Sequence, residues 1–222
     1  MNCDPIAPLY RWLEYAVFGK ALERCRLSHL EGLKSPRRAL VAGDGDGRFL
    51  KALALRFPKT SIDYVDVSSG MLALACKRAG LRSTPDAPSI NFYQCDVRSI
   101  DWGDRYYDLI ACHFLFDVFA LVELSKVVDR LSQAAAPQAQ WIVSEFDLPP
   151  GRLQRLGAKL LLSIMYRFFR VATGLVNQEL PDWRPLLRSK GFSCEIRSSQ
   201  RGGFIVSERW TRQQLADGLS DD

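Results

Sequence analysis

Short apolar segments alternate with segments of helical spacing from residue 38 onward, and this alternation constrains the fold more than any other feature. Such alternation is typical of βαβ units, in which neighbouring strands run parallel and helices cover both faces of the sheet. The apolar strand interiors agree with burial on both faces. We expect strands at 39–42, 62–65, 90–95, 109–112 and 141–143, and helices at 49–57, 71–79 and 120–135.

The C-terminal part of the chain carries a different pattern. Two further strand-like segments, 192–197 and 203–210, are joined by the short segment 198–202. A connection that short cannot hold a crossover helix, so we expect this pair to be antiparallel. The length of 222 residues and the hydrophobic fraction of 47% suit one α/β domain, 1–222, with a few added helices.

Charge and cysteine content argue against several classes of protein. Lys and Arg number 30 against 25 Asp and Glu, and the net charge of +5 is too small to make nucleic acid the expected partner. The 6 cysteines form no C-x-x-C pair, so we expect no metal site and reduced thiols in a cytoplasmic protein. We find neither the apolar core of a signal peptide nor an apolar stretch that could span a membrane.

Glycines and polar residues follow the expected strands. The alternating glycines and aspartates of 43–47 follow the first strand, and Asp66 follows the second. Asp96 and His113 end the third and fourth. Open α/β sheets bind ligands beyond the carboxyl ends of their strands, so these residues are the expected binding site. Alternate glycines let a backbone turn tightly and a ligand approach closely, although an ordinary Gly/Asp turn has the same composition.

Asp66 is the expected ribose contact of a nucleoside ligand. It stands about 20 residues after the glycine loop, where nucleotide-binding folds hold a ribose with a carboxylate. The alternative is that Asp66 caps the following helix. Ser68 or Ser69 is better placed for that cap, so we favour the ribose contact.

The loop departs from the dinucleotide fingerprint G-x-G-x-x-G, because Arg48 stands where the third glycine is needed. Asp44 and Asp46 lie inside the loop, where two carboxylates would repel a pyrophosphate. They suit a ligand that carries an ammonium and a sulfonium group. The P-loop sequence G-K-[ST] is absent, which excludes that phosphate-binding motif.

Four segments resemble the class I S-adenosylmethionine-dependent methyltransferases, in particular the small-molecule type similar to the ubiquinone-methylating branch. The resemblance implies a Rossmann-like, doubly wound sheet of seven strands, mostly parallel with one antiparallel strand, with helices on both faces. It also implies S-adenosylmethionine as the cofactor, with S-adenosylhomocysteine as its product. The segments are ALVAGDGDGRFL (39–50), IDYVDVSSGMLALA (62–75), INFYQCDVRSIDW (90–102) and YYDLIACHFLF (106–116).

The same resemblance implies which residues hold the cofactor. The methionine part lies near the glycine loop, the ribose on Asp66 and the adenine beside the residues that follow the second and third strands. The family usually has Asp or Glu where this chain has Val41, so Asp44 or Asp46 is expected to replace that carboxylate. The expected set is Gly43, Asp44, Gly45, Gly47, Asp66, Val67, Met71, Asp96, Val97 and His113.

His113 is the candidate catalytic residue, since it ends a strand and its ordinary pKa of about 6.5 suits a base. We expect its side chain to project over the glycine loop. The alternative is that His113 lines the cofactor pocket without transferring a proton. Asp117 is a second candidate base, although a solvated or capping role is the simpler interpretation, and His29 is interpreted as structural.

Two helical segments lie outside the alternation. Residues 6–33 are expected to form an N-terminal helical extension that Gly19 bends or breaks. Residues 152–176 are expected to form an amphipathic helix. It is either a lid with a solvated basic face, a helix at an anionic membrane surface, or a site for an anionic substrate or partner. Its cations are Arg152, Arg155, Lys159, Arg167 and Arg170.

The leading hypothesis is a methyltransferase that uses S-adenosylmethionine and acts on a small, apolar or lipid-like molecule. Two alternatives remain open. One is a nucleotide-dependent oxidoreductase, which Arg48 disfavours, and the other is a cofactor-binding or interaction module without turnover, which Val41 leaves possible. The sequence gives neither the acceptor nor the methylated atom.

Overall fold

The computed structural model describes residue 4 and residues 14–80, 88–100, 102–103, 106–177 and 179–212. The described residues form one seven-stranded sheet in the order β3-β2-β1-β4-β5-β7-β6. Only β7 runs against its neighbours, β5 and β6, which confirms the predicted sheet. The strands are β1 (Arg38–Ala42), β2 (Ser61–Asp66), β3 (Ile90–Gln94), β4 (Tyr107–His113), β5 (Ala135–Phe146), β6 (Phe192–Gln200) and β7 (Ile205–Arg212).

Helices cover both faces of the sheet. Alternate residues of β1 face two separate cores, since Leu40 packs with α4 residues such as Val127, whereas Val41 packs with α2 residues such as Leu53. This alternation follows from the period of two in a strand. The helices are α1 (Ala21–Leu27), α2 (Arg48–Arg56), α3 (Ser69–Ala79), α4 (Leu121–Gln133), α5 (Arg152–Thr173) and α6 (Arg184–Ser189).

The N-terminal extension is shorter and more broken than expected over 6–33. Residues 5–13 lie outside the described part of the chain, residues 14–18 are helical and Gly19 interrupts the helix with a φ of +59°. α1 then ends at Leu27. His29 is buried, and its Nε2 lies 2.9 Å from the carbonyl oxygen of Ser207 in β7. This contact ties the extension to the sheet and agrees with a structural role for His29.

The expected amphipathic helix over 152–176 is α5, which ends at Gly174 because that glycine adopts a left-handed φ of +70°. β5 is much longer than the expected 141–143. Of the helices that the structure describes, none has the length and apolar character that a membrane span requires.

Candidate active site

Two cavities lie at the carboxyl ends of the parallel strands. The first, here the glycine-loop cavity, has a volume of about 250 Å³ and lies among the ends of β1, β2 and β3. Seven of the ten expected cofactor residues line it, whereas Asp44, Gly47 and His113 do not. The seven are Gly43, Gly45, Asp66, Val67, Met71, Asp96 and Val97.

The glycine loop requires glycine at defined positions. Gly43 and Gly47 have φ angles of +73° and +78°, in the left-handed region that favours glycine. A Cβ atom on Gly43 would lie 2.8 Å from the Cβ of Leu115, and one on Gly47 would lie 2.6 Å from the Cα of Ala75. Gly43 therefore lets the loop pack closely against Leu115 at the cavity wall, whereas Gly47 lets the loop before α2 approach α3.

The side chains of Asp44 and Asp46 do not line the glycine-loop cavity. We expected one of them to replace the acid that the family usually has at the position of Val41, and the structure does not place either of them there. Asp44 is fully buried and accepts hydrogen bonds from the backbone N–H groups of Phe49 (3.2 Å) and Leu50 (2.9 Å). It caps α2, and burial raises its pKa to about 7. Asp46 pairs with Arg78 at 2.6 Å. Both side chains hold the loop in shape rather than line the site.

Asp66 lies at the end of β2 on the wall of the glycine-loop cavity. It accepts a hydrogen bond from the Ser68 N–H (2.9 Å), and burial raises its pKa to about 6. The helix cap is Ser68, whose Oγ accepts from the N–H of Met71 at 3.1 Å. The carboxylate of Asp66 is thus not used as a cap of α3.

Asp96 is held by a cation that sequence analysis missed. Arg98 donates to Asp96 at 2.6 Å and to Glu123 at 2.8 Å, and all three line the cavity. The hydrogen bond from Arg98 lowers the pKa of Asp96 below its ordinary value. The signal was present in the sequence, because Arg98 follows Asp96 by two residues on the same turn.

His113 is buried within the protein instead of projecting over the loop. Its Nδ1 lies 3.0 Å from the Oγ of Ser144, and its ring centre lies 4.4 Å from that of Phe49. The side chain lines neither cavity, and its pKa is well below the ordinary value because burial disfavours the charged form. His113 is therefore not among the residues that line either of the two cavities.

The second cavity, here the apolar cavity, has a volume of about 290 Å³. It lies between α5, the helical residues 14–18 and the segment that follows β4. It shares three wall residues with the glycine-loop cavity, so the two cavities are neighbours: Phe114, Val118 and Leu175. Its aromatic lining consists of Phe18, Phe114, Phe146, Tyr166, Phe168 and Phe169.

Asp117 lines the apolar cavity and is buried, so the solvated role that the sequence suggested is wrong for this residue. It belongs to the turn Phe116–Val118, directly before the shared wall residue Val118. Burial raises its pKa to about 7. Sequence analysis identified no reason for a carboxyl group in an apolar cavity.

α5 presents an apolar stripe to solvent in addition to its buried face. Its five cations are all exposed, and the helix contains no acidic residue. On a helical projection of about 100° per residue, four of the cations lie on one side of the apolar stripe, and Arg167 lies within the stripe. The stripe consists of Leu153, Leu156, Leu160, Ile164, Phe168 and Val171, which are between 42% and 86% exposed.

Comparison with known proteins finds a matching domain model and relatives of moderate identity. Residues 39–138 match the family model of a methyltransferase domain. A demethylmenaquinone methyltransferase from Thermus thermophilus is 30% identical over 147 residues, which cover 65% of this chain and 64% of that protein. A second from Deinococcus radiodurans is 29% identical over 54% of this chain and 47% of that protein. This chain thus spans less than two thirds of the length of either relative.

Solved structures share the fold at low identity. Magnesium protoporphyrin IX methyltransferase from Synechocystis, with bound S-adenosylhomocysteine, aligns with a TM-score of 0.60 at 18% identity over 86% of this chain and 82% of its own. A didemethyltoxoflavin N1-methyltransferase from Burkholderia thailandensis gives 0.63 at 14% identity, over 94% and 85%. Residues 39–138 are thus similar to a methyltransferase domain, and the described chain shares the fold of these solved methyltransferases.

Proposed function

We propose that this protein transfers the methyl group of S-adenosylmethionine to a small apolar molecule. The observation that carries the proposal is the pair of adjoining cavities. One is lined by the residues expected to hold the cofactor, the other is apolar, and Phe114, Val118 and Leu175 belong to both walls. A donor in one cavity and an acceptor in the other would meet across this shared wall.

The residues of the glycine-loop cavity fit the cofactor. Gly43 and Gly45 bring backbone without side chains to the cavity wall, which suits the close approach of the methionine part. The Asp66 carboxylate can accept hydrogen bonds from both ribose hydroxyls. Val67, Met71, Asp96 and Val97 line the same cavity. In this proposal Val67, Met71 and Val97 contact the adenine ring and Asp96 accepts a hydrogen bond from its amino group.

S-adenosylmethionine supplies a methyl group that its sulfonium already activates. The contribution of this chain is therefore mainly alignment, because holding two reactants in line replaces a bimolecular encounter. The shared wall fixes the direction of approach, and the apolar lining excludes water from the acceptor. Since His113 lines neither cavity, we assign it a packing role instead of the proton transfer considered from the sequence.

Two binding experiments and one turnover experiment test the proposal. Calorimetry should detect binding of S-adenosylmethionine and S-adenosylhomocysteine but not of NAD. A lipid extract incubated with the enzyme and labelled methyl donor should then yield a labelled apolar compound. Binding of NAD instead would support the oxidoreductase alternative. Cofactor binding without label in any compound would support the module without turnover.

We also propose that α5 rests on an anionic membrane surface. The support is the exposed apolar stripe beside five exposed cations on a helix without acidic residues. A stripe of this kind inserts at the interface between headgroups and acyl chains, and each cation near an anionic surface contributes about 1 kcal/mol. An apolar acceptor dissolved in the bilayer would then lie next to the cavity that α5 lines.

Sedimentation with vesicles tests the membrane proposal. The protein should sediment with phosphatidylglycerol vesicles, dissociate at high salt and bind phosphatidylcholine vesicles poorly. Changing Arg155, Lys159 and Arg170 together to Gln should abolish binding. The matched control changes three exposed cations elsewhere, Lys51, Arg56 and Lys59, and should retain binding. Equal binding by the two triple variants would contradict the role of α5.

A further inference from the structure

Asp117 is a polar residue in the wall of the apolar cavity, and the proposed function so far assigns it no role. Two acidic residues line that cavity. Glu14 is paired with Arg26 at 2.7 Å and with Arg48 at 2.8 Å. Asp117, in contrast, has no cation within salt-bridge distance in the part of the chain that the structure describes. An unpaired carboxyl group in an apolar cavity is costly to keep, so it requires a reason.

Two further polar groups beside Asp117 lack partners. Glu145 in β5 accepts hydrogen bonds at Oε1 from the N–H groups of Leu115 (2.9 Å) and Phe116 (2.7 Å). Its Oε2 has no hydrogen-bond partner among the described residues, and neither does the hydroxyl of Tyr166 on α5. Both residues are buried. Asp117 and Tyr166 line the otherwise apolar cavity, and Glu145 interacts electrostatically with both of them.

Asp117 lies beside the point where donor and acceptor would meet. Asp117 sits one residue before Val118, which lines both cavities, and three residues after Phe114, which also lines both. An acceptor that fills the apolar cavity and presents a hydrogen-bond donor to Asp117 would therefore place that group close to the shared wall. The remainder of the lining offers only apolar contact, apart from Tyr166 and the paired Glu14.

We propose that Asp117 binds a hydroxyl group on the acceptor and takes its proton, so that the acceptor class is an apolar, ring-sized molecule with a hydroxyl at the reacting end. This rests on the proposed function. The O–H bond of the acceptor breaks and its proton moves to the Asp117 carboxylate. The oxygen forms a bond to the transferred methyl carbon, while the bond from that carbon to the sulfonium sulfur breaks and leaves its electron pair on sulfur.

The charges around Asp117 agree with this role. Burial raises the pKa of Asp117 to about 7, which suits a base near neutral pH. Burial and the Asp117 charge raise the pKa of Glu145 well above its ordinary value. Glu14 from residues 14–18 and Arg26 from α1, whose guanidinium lies 4.9 Å from the centre of the Phe114 ring, compensate each other.

Binding of three two-ring probes tests the inference without turnover. 1-Naphthol has the hydroxyl, 1-methoxynaphthalene blocks it and naphthalene lacks it. At about pH 8 the wild-type protein should bind 1-naphthol about tenfold more tightly than either analogue, because a charged acceptor meets a hydroxyl donor. The preference should fall to less than about threefold near pH 5, where Asp117 is protonated. Calorimetry of the wild-type protein in two buffers of different ionisation enthalpy measures how many protons are taken up or released when 1-naphthol binds. This measurement requires no variant.

The variant Asp117→Asn keeps the size of the side chain and should lose both the preference and its pH dependence. Asp182→Asn changes an exposed carboxyl and serves as the matched control. An unchanged preference in Asp117→Asn, or equal binding of the three probes by wild type, would overturn the inference. The affinity for S-adenosylhomocysteine should be equal in the wild-type protein, Asp117→Asn and Asp182→Asn. Loss of that binding in wild type would contradict the proposed function while the probe results still decide the role of Asp117.

Discussion

The two cavities lie side by side at one edge of the sheet, yet they are built from different parts of the chain. The glycine-loop cavity is formed by the ends of three consecutive strands and the turns that follow them, and residues after β4 and after α5 complete its wall. The apolar cavity is formed by α5, the helical residues 14–18 and the end of β5, which are far apart in sequence. The shape of the glycine-loop cavity follows mainly from backbone geometry, whereas the shape of the apolar cavity follows from side-chain packing.

This difference separates what a family shares from what distinguishes its members. A strand end, a glycine turn and a carboxylate recognise the same cofactor whatever the acceptor. The wall of the apolar cavity depends instead on contacts such as that of Phe18 with Phe146, whose ring centres lie 5.5 Å apart. Changes to residues that line only the first cavity should therefore affect cofactor binding alone, and changes to residues that line only the second should affect acceptor binding alone.

The largest effect is expected from Gly43→Ala. The added Cβ meets Leu115 at 2.8 Å and the φ of +73° is strained for alanine, so the unfolding free energy should fall by about 2–3 kcal/mol. S-adenosylhomocysteine affinity should fall by at least about a hundredfold, whereas 1-naphthol affinity should change by less than about threefold. Chemical denaturation and calorimetry measure the two quantities.

Gly191→Ala is the matched control for this prediction. Gly191 has a similar φ of +80°, but no described atom lies within 4 Å of the added Cβ. This variant should lose about 1 kcal/mol of stability from backbone strain and keep its cofactor affinity. If the two alanine variants lost cofactor affinity equally, the close contact with Leu115 would not be what shapes the cavity.

An intermediate effect is expected from Asp66→Asn. Loss of a charged acceptor for two hydroxyls should weaken S-adenosylhomocysteine binding by about 1.5–3 kcal/mol and leave 1-naphthol binding unchanged. Because the pKa of Asp66 is raised to about 6, wild-type cofactor affinity should rise as pH increases through this value and the carboxyl ionises. The Asn variant should lack that rise. Calorimetry from about pH 5 to about pH 8 measures both, and a parallel pH profile in the variant would contradict the ribose contact.

The sequence predicted the glycine-loop cavity well because strand order and strand ends follow from local pattern. Parallel strands bring their carboxyl ends to one edge, so Asp66 and Asp96 meet without any knowledge of packing. The exceptions have local causes as well. Asp44 does not line the cavity because its carboxylate oxygens cap α2. Gly47 does not line it because it packs against Ala75 of α3.

The sequence could not predict the apolar cavity or the true place of His113. His113 ends a strand as Asp66 does, but its side chain enters the core beside Phe49, where burial removes it from any ligand. Asp117 resembles a surface residue in the sequence. Its electrostatic neighbours Tyr166 and Glu145 come from α5 and β5 and meet it only in the folded chain.

The smallest effect is expected from Phe168→Ala, which tests whether α5 is a wall of the apolar cavity as well as a surface helix. Phe168 lines that cavity and is 42% exposed, so its truncation removes part of the apolar contact with a bound ring. 1-Naphthol affinity should fall by about three- to tenfold, corresponding to about 1 kcal/mol, while S-adenosylhomocysteine affinity stays unchanged. Val171→Ala changes an apolar residue of the same helix that is 86% exposed and does not line the cavity, so it should alter neither affinity. Fluorescence titration with 1-naphthol resolves a difference of this size. An equal loss in the two variants would mean that the probe binds on the exposed stripe of α5, outside the cavity.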